Sequence, residues 1–347
     1  MWSKNLFDAE VAVDYFFETC YAAGNSCPLR SSKDTSGRSI QDRVAKFLDE
    51  ISERPGIWVD EGFSEVITAQ AIRALFLIPL YKPIPNFEQL SNSLKNVLEG
   101  NYTSAVYDLA KYGPVATDLC RSLDDGEEKV DYEWVFERAM TYMCNDSPDL
   151  SHVSNSKLQR YIAQLRDLSP TIGTYWAQFS LTCSGWNVRP EWQFTGPYGR
   201  NVSQDTSQAS SMAGNRYAKP RARQETQNPL KHGSNDGNNP ILFLSSKTDP
   251  VTPVRNAFAM SALHPGSSVV VQDSVGHCAL YSAPSECTKK IVAAYFAYGT
   301  MPKDGLICEP DCRPWQSGGE CQAFGKMSLN RVARNTKASR GRLPLMP

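Results

Sequence analysis

Two short apolar runs late in the chain constrain its fold more than anything before them. Residues 241–244 read Ile-Leu-Phe-Leu and residues 269–271 read Val-Val-Val. An unbroken apolar run this short suits a strand covered on both faces of a parallel sheet, because a half-exposed strand would alternate. A residue with acid–base chemistry follows each run: Asp249, then Pro250, after the first, and Gly276-His277 after the second. In open parallel sheets, ligands and chemistry gather beyond the carboxyl ends of the strands. The interval between Asp249 and His277 leaves room for one helix and one strand, which brings both to the same sheet edge. An Asp and then a His hold the last two places of a Ser…Asp…His chain order.

The segments upstream read as helices. Residues 8–23 start at Asp8, a candidate cap, and place Val11, Val13, Phe16, Phe17 and Tyr21 on a broad apolar face. Gly24 ends that run, and Cys20 and Cys27 could close a small loop across its end. Residues 39–54 have a capping-box-like start at Ser39 and Asp42. Ile40, Val44, Phe47, Leu48 and Ile51 follow at helical spacing, and Pro55 stops the run. Residues 66–81 read as one buried helix. Phe87, Leu90, Leu94, Val97 and Leu98 mark another that ends near Gly100, and residues 132–143 and 158–168 are amphipathic. No long strand pattern precedes residue 239. The expected organisation is a helical region at 1–200, a polar loop or insertion at 201–238, a strand-bearing core at 239–325 and a basic tail at 326–347. The loop is nearly free of large aliphatic side chains. The tail holds six Lys and Arg and no Asp or Glu.

Composition narrows the function classes. The 347 residues suit two units. The 36 Lys and Arg against 37 Asp and Glu give no electrostatic case for a nucleic-acid partner. No apolar run approaches the ~18 residues of a membrane span. The ten cysteines, several in close pairs, point to an oxidising compartment. The sequons at Asn101, Asn145 and Asn201 agree with a secreted glycoprotein. Residues 1–8 nevertheless lack an apolar signal core. Cys308, Cys312 and Cys321 are too loosely spaced for a zinc pattern and have no His near them, so neither metal nor cofactor is expected. His152, His232 and His264 have no partner in sequence and read as surface residues.

A serine-type hydrolase needs a nucleophile, a His base, and a carboxylate that orients the His; Asp249 and His277 fit the last two roles. The segment Asp249-Pro-Val-Thr-Pro-Val, followed by Gly276-His277-Cys278, Ser285-Glu-Cys287, Tyr298-Gly-Thr-Met-Pro and Cys308, resembles the C-terminal region of tripeptidyl-aminopeptidase-like hydrolases. These are α/β-hydrolase-fold serine peptidases of the prolyl-aminopeptidase clan. Softer likenesses to the family's helical cap run through Cys20-Tyr-Ala-Ala-Gly-Asn-Ser-Cys27, Tyr81-Lys-Pro, Glu99-Gly100-Asn101, Ala139-Met-Thr-Tyr-Met-Cys144-Asn-Asp146 and Cys183-Ser-Gly-Trp186.

The resemblance implies an α/β-hydrolase fold, N-terminally incomplete, with a large helical cap and the last strands of the sheet. It implies Asp249 and His277 as catalytic residues, and disulfides between Cys278 and Cys287 and between Cys144 and Cys183. It also implies a nucleophile on a Gly-x-Ser-x-Gly elbow upstream of the cap. Gly24-Asn-Ser26-Cys-Pro and Gly37-Arg-Ser39-Ile-Gln each lack the second glycine, and the sequence holds no complete elbow. The early strands, oxyanion loop and elbow would lie ahead of Met1. The expected function is therefore that of an exopeptidase-type serine hydrolase acting on peptide N-termini or a small acyl substrate, inactive as written. Loss of the nucleophile costs about as much as loss of the whole triad. Two other readings are a non-catalytic accessory or binding protein and one half of a split hydrolase that needs a complementing half. The late strands would then expose an unpaired edge until that half arrives.

Overall fold

The computed structural model describes residues 4–60, 63–112, 135–191 and 240–316, with Cys321 and Phe324. The polar segment 201–238, the basic tail 326–347 and the first residues expected in the 132–143 helix lie outside the described residues.

A 3-10 turn at Asn5–Asp8 leads into α1 (Ala9–Ala22). Ala9, Ala12, Val13, Phe16, Phe17 and Cys20 form its buried stripe at helical spacing, whereas Val11, expected there, is exposed. Asp8 makes no capping hydrogen bond; its carboxylate instead meets Arg255 at 3.1 Å. Helix α2 (Gly37–Glu53) starts before Ser39, because the capping box belongs to Ser36. The Ser39 N–H donates to Ser36 Oγ and the Ser36 N–H donates to Ser39 Oγ, each at 3.1 Å. Asp42 pairs with Arg38 one turn back at 2.8 Å rather than capping.

A hairpin that the helical reading overlooked comes next. Strands β1 (Gly56–Asp60) and β2 (Phe63–Ile67) pair antiparallel, with Trp58 buried between the exposed Ile57 and Val59. This alternation is the mark of a half-buried ribbon, but five residues of it are easily lost beside longer helical patterns. The single helix expected over 66–81 is broken for a related reason. Its first residues finish β2, and Thr68 caps α3 (Ala69–Ala74) by accepting the Ala71 N–H. Helix α4 (Leu77–Tyr81) then restarts so that Pro79, which has no N–H to give, falls in a first turn where none is needed. Helices α5 (Pro83–Leu98), α6 (Thr103–Tyr112), α7 (Val135–Asn145), α8 (Asn155–Leu168) and α9 (Gly173–Ser184) follow.

These helices pack around one core whose centre is aromatic. Phe16 meets Phe76 and Phe87 edge-on, with ring centroids 5.9 and 4.9 Å apart. Trp315, far along the chain, lies against Phe16 and Phe87 and donates its indole N–H to Thr19 Oγ1 at 3.1 Å. A smaller cluster of Met140, Cys144 and Cys183 joins α7 to α9 across a disulfide.

The chain then enters a parallel sheet in the order β3-β4-β5, formed by β3 (Leu242–Thr248), β4 (Ser268–Val275) and β5 (Leu306–Cys308). Helix α10 (Val254–Ser261) links the first two strands, and α11 (Ala279–Ser282) and α12 (Glu286–Tyr298) link the last two. Both apolar runs fall in strands, as expected, except that Ile241 precedes β3 and is exposed. They differ in cover: Val269 and Val270 in the central strand are fully buried, whereas Leu242, Phe243 and Leu244 at the edge are half-buried. The sheet and the helical core meet at the C-terminal end of β3, where Val251 joins the helical cluster.

Candidate active site

The position of the site follows from strand register. Thr248, the last residue of β3, is opposite Val275, the last residue of β4, after an irregularity at Ser246–Thr248. The next residues on both strands therefore leave the sheet side by side, and the Gly276 N–H donates to the Thr248 carbonyl at 3.0 Å. Asp249 follows on one strand. On the other, Gly276 turns the backbone at φ +120° to present His277. The His277 N–H is then held by the Tyr81 carbonyl of α4 at 2.9 Å.

The two predicted residues meet. The His277 Nδ1 lies 3.2 and 3.1 Å from the two carboxylate oxygens of Asp249. Asp249 is 1% exposed, and burying a carboxylate is costly unless hydrogen bonds replace its water. Four other donors do so. Oδ1 accepts the Val251 and Thr252 N–H groups at 3.0 and 2.7 Å, and Oδ2 accepts the Thr252 hydroxyl and the Cys278 N–H at 2.8 and 3.1 Å. Such charge-assisted bonds are about twice as strong as neutral ones. The Tyr81 ring packs edge-on against the imidazole, with centroids 4.8 Å apart. Burial, and then the charge of Asp249, push the Tyr81 phenol well above its ordinary range, so it keeps its proton. Among the described residues, no group hydrogen-bonds His277 Nε2.

The loop geometry corrects one disulfide. Cys278 does not pair with Cys287. It sits at φ +61° with its N–H committed to Asp249 and its side chain exposed, the only free cysteine among the described residues. Cys287, in the first turn of α12, instead faces the end of β5 and bonds to Cys308, with Cα atoms 5.6 Å apart. Cys312 bonds to Cys321, and the pairs Cys20–Cys27 and Cys144–Cys183 are as expected. The exposed Cys278 thiol is held above its ordinary range by partial desolvation and by Asp249.

Sequence reasoning missed three participants. Thr252 carried a signal, an Asp-x-x-Thr spacing in which a side chain can return to cap the loop it opens. Tyr81 carried none, because its backbone carbonyl is what holds His277. The third is the polar layer beneath the loop, where Gln272 is fully buried. Its amide donates to the carbonyls of Ala279 and Ala283 at 2.8 and 3.0 Å and accepts the Thr288 hydroxyl at 2.9 Å. This pins α11, and with it the far end of the His277 loop. Of the serines considered as nucleophiles, Ser39 is occupied in the α2 capping box and Ser26 lies in a 3-10 turn; neither bonds His277.

Among the described residues, no group of three or more His, Cys, Asp and Glu is arranged to hold a metal ion. No described helix is long and apolar enough to cross a membrane. His264 Nδ1 lies 2.8 Å from the Met260 carbonyl in the last turn of α10, His152 is exposed, and His232 lies outside the described residues.

No curated protein was found to match the chain. A family model described as TAP-like protein, of the α/β-hydrolase class, matches residues 208–308. The described part of that match holds all three parallel strands, their helices and the Asp249–His277 pair. Over those residues the C-terminal region of this chain is similar to TAP-like α/β-hydrolases.

Proposed function

We propose that Asp249 and His277 are the acid–base pair of an exopeptidase-type serine hydrolase site acting on peptide N-termini. Asp249 orients His277 and stabilises its charged form, and Nε2 takes the proton of a serine and later delivers it to the leaving amine. The observation that carries this reading is the asymmetry of the imidazole. Its Nδ1 side is enclosed by a buried, fully hydrogen-bonded carboxylate, while Nε2 has no partner among the described residues. The imidazole keeps 26% of its side-chain surface exposed, against 2% for the Asp249 carboxylate that holds it. In this reading the helical region 1–200 is the cap, with Tyr81 against His277, and the four disulfides among the described residues suit an oxidising compartment. With no Gly-x-Ser-x-Gly in the sequence, the attacking serine comes from another stretch of polypeptide, and this chain alone is inactive.

A fluorophosphonate probe tests each part. The purified chain should remain unlabelled. Fused to, or mixed with, the N-terminal core of a TAP-like hydrolase that carries the elbow serine, it should label at that serine. Labelling should disappear in His277→Ala, and the assembly should release chromophore from peptide anilides only when their α-amine is free. Labelling of the isolated chain would overturn the inactivity. An assembled protein that never labels would leave a non-catalytic binding protein instead.

A further inference from the structure

We propose that Thr252 is a positioning residue that holds the His277 ring with Nε2 facing outward. The inference rests on the hydrolase reading above. Three oxygens surround His277 Nδ1 at nearly equal range: Asp249 Oδ1 at 3.2 Å, Asp249 Oδ2 at 3.1 Å and Thr252 Oγ1 at 3.1 Å. A hydroxyl has one hydrogen, and that of Thr252 is committed to Asp249 Oδ2 over the shorter distance of 2.8 Å. The lone pair of Thr252 therefore faces Nδ1, and a carboxylate offers only lone pairs. None of the three oxygens has a hydrogen to give, so Nδ1 must carry one, and in the neutral ring Nε2 is then the bare nitrogen.

Thr252 adds what the carboxylate cannot supply by itself. Two oxygens of one planar group leave the imidazole free to rock about the line joining the two side chains. A third acceptor outside that group closes the rocking. The hydroxyl is itself fixed, because the Thr252 N–H donates to Asp249 Oδ1 at 2.7 Å and Pro253 follows directly. The side chain is at the exposed rim, so it can be changed without opening a cavity in the core.

The test uses the full chain with 15N-labelled histidine, and His277→Ala identifies the His277 Nδ1–H resonance. Loss of one acceptor should raise the exchange of that hydrogen with water about fivefold in Thr252→Val, and Thr252→Ser should restore it to within about twofold of the parent. A Thr252→Val exchange rate within about twofold of the parent overturns the proposal. So does a Thr252→Ser rate as fast as that of Thr252→Val, because bulk and not the hydroxyl would then matter. Asp249→Asn separates the two readings. If it abolishes the resonance while Thr252→Val has no effect, only the role of Thr252 falls. If the resonance ignores Asp249→Asn, the hydrolase reading falls with it.

Discussion

Gly276 is where the backbone of the site is most tightly constrained, and Gly276→Ala should show it. A Cβ at this position would lie 2.6 Å from Ser282 Cβ, 2.8 Å from Pro83 Cδ and 2.8 Å from the Tyr81 carbonyl oxygen. Ordinary contacts need roughly 3.5–4 Å, so about 1 Å must be found on three sides at once. Two of these neighbours cannot yield cheaply: the Tyr81 oxygen already accepts the His277 N–H, and α11 is pinned by Gln272. Overpacking of this kind costs ~1–3 kcal/mol, and a side chain at φ +120° adds ~1–3 kcal/mol. The total is about 2–6 kcal/mol of stability. Gly299, the left-handed C-cap of α12, supplies the control. Its φ is +66° and an added methyl would meet nothing within 4 Å, so Gly299→Ala should cost only the backbone share of about 1–2 kcal/mol. Urea denaturation of both variants, followed by tryptophan fluorescence, measures the difference. If Gly276→Ala loses no more than Gly299→Ala, the crowding argument is wrong.

Two further changes probe the surroundings of the pair. Gln272→Leu keeps the bulk but strands the Ala283 carbonyl and the Thr288 hydroxyl; it should cost roughly 2–6 kcal/mol, and a urea midpoint at or above the parent's would refute the pinning of α11. Cys278 should alkylate with iodoacetamide more slowly than an ordinary thiol near pH 8, because its raised pKa keeps the unreactive protonated form; Asp249→Asn removes one of the two causes and should speed the reaction at fixed pH, as read from the mass of the Cys278 peptide, and an unchanged or slower rate would contradict the assigned cause.

What could be seen in the sequence follows from the range of each interaction. The pair at Asp249 and His277 was legible because parallel strands put chemistry at their carboxyl ends, and two apolar runs with punctuation suffice to locate those ends. Ile40, Val44, Leu48 and Ile51 were legible for a similar reason, since a helical period needs only its own residues. The cap of α2 was misplaced by a local degeneracy: Ser36 and Ser39 are both good caps, and only the reciprocal bond between them decides which begins the helix. The pairing of Cys278 with Cys287 failed because it depends on direction and not on spacing. A positive φ points Cys278 to the rim, whereas the start of α12 turns Cys287 toward β5.

The remainder is long-range and left no local mark. Trp315 reaches Thr19 across almost the whole sequence, and Tyr81 serves His277 through a carbonyl that any residue possesses. Both contacts bring the helical body onto the end of the sheet where Asp249 and His277 emerge, and Val251 is buried in that same contact. The orientation of His277 is therefore as much a property of the helices as of the sheet. A β3–β4–β5 sheet alone would keep the carboxylate and the imidazole as neighbours. Without the Tyr81 carbonyl and the Pro83 wall against Gly276, it would lose the turn that aims Nε2 outward.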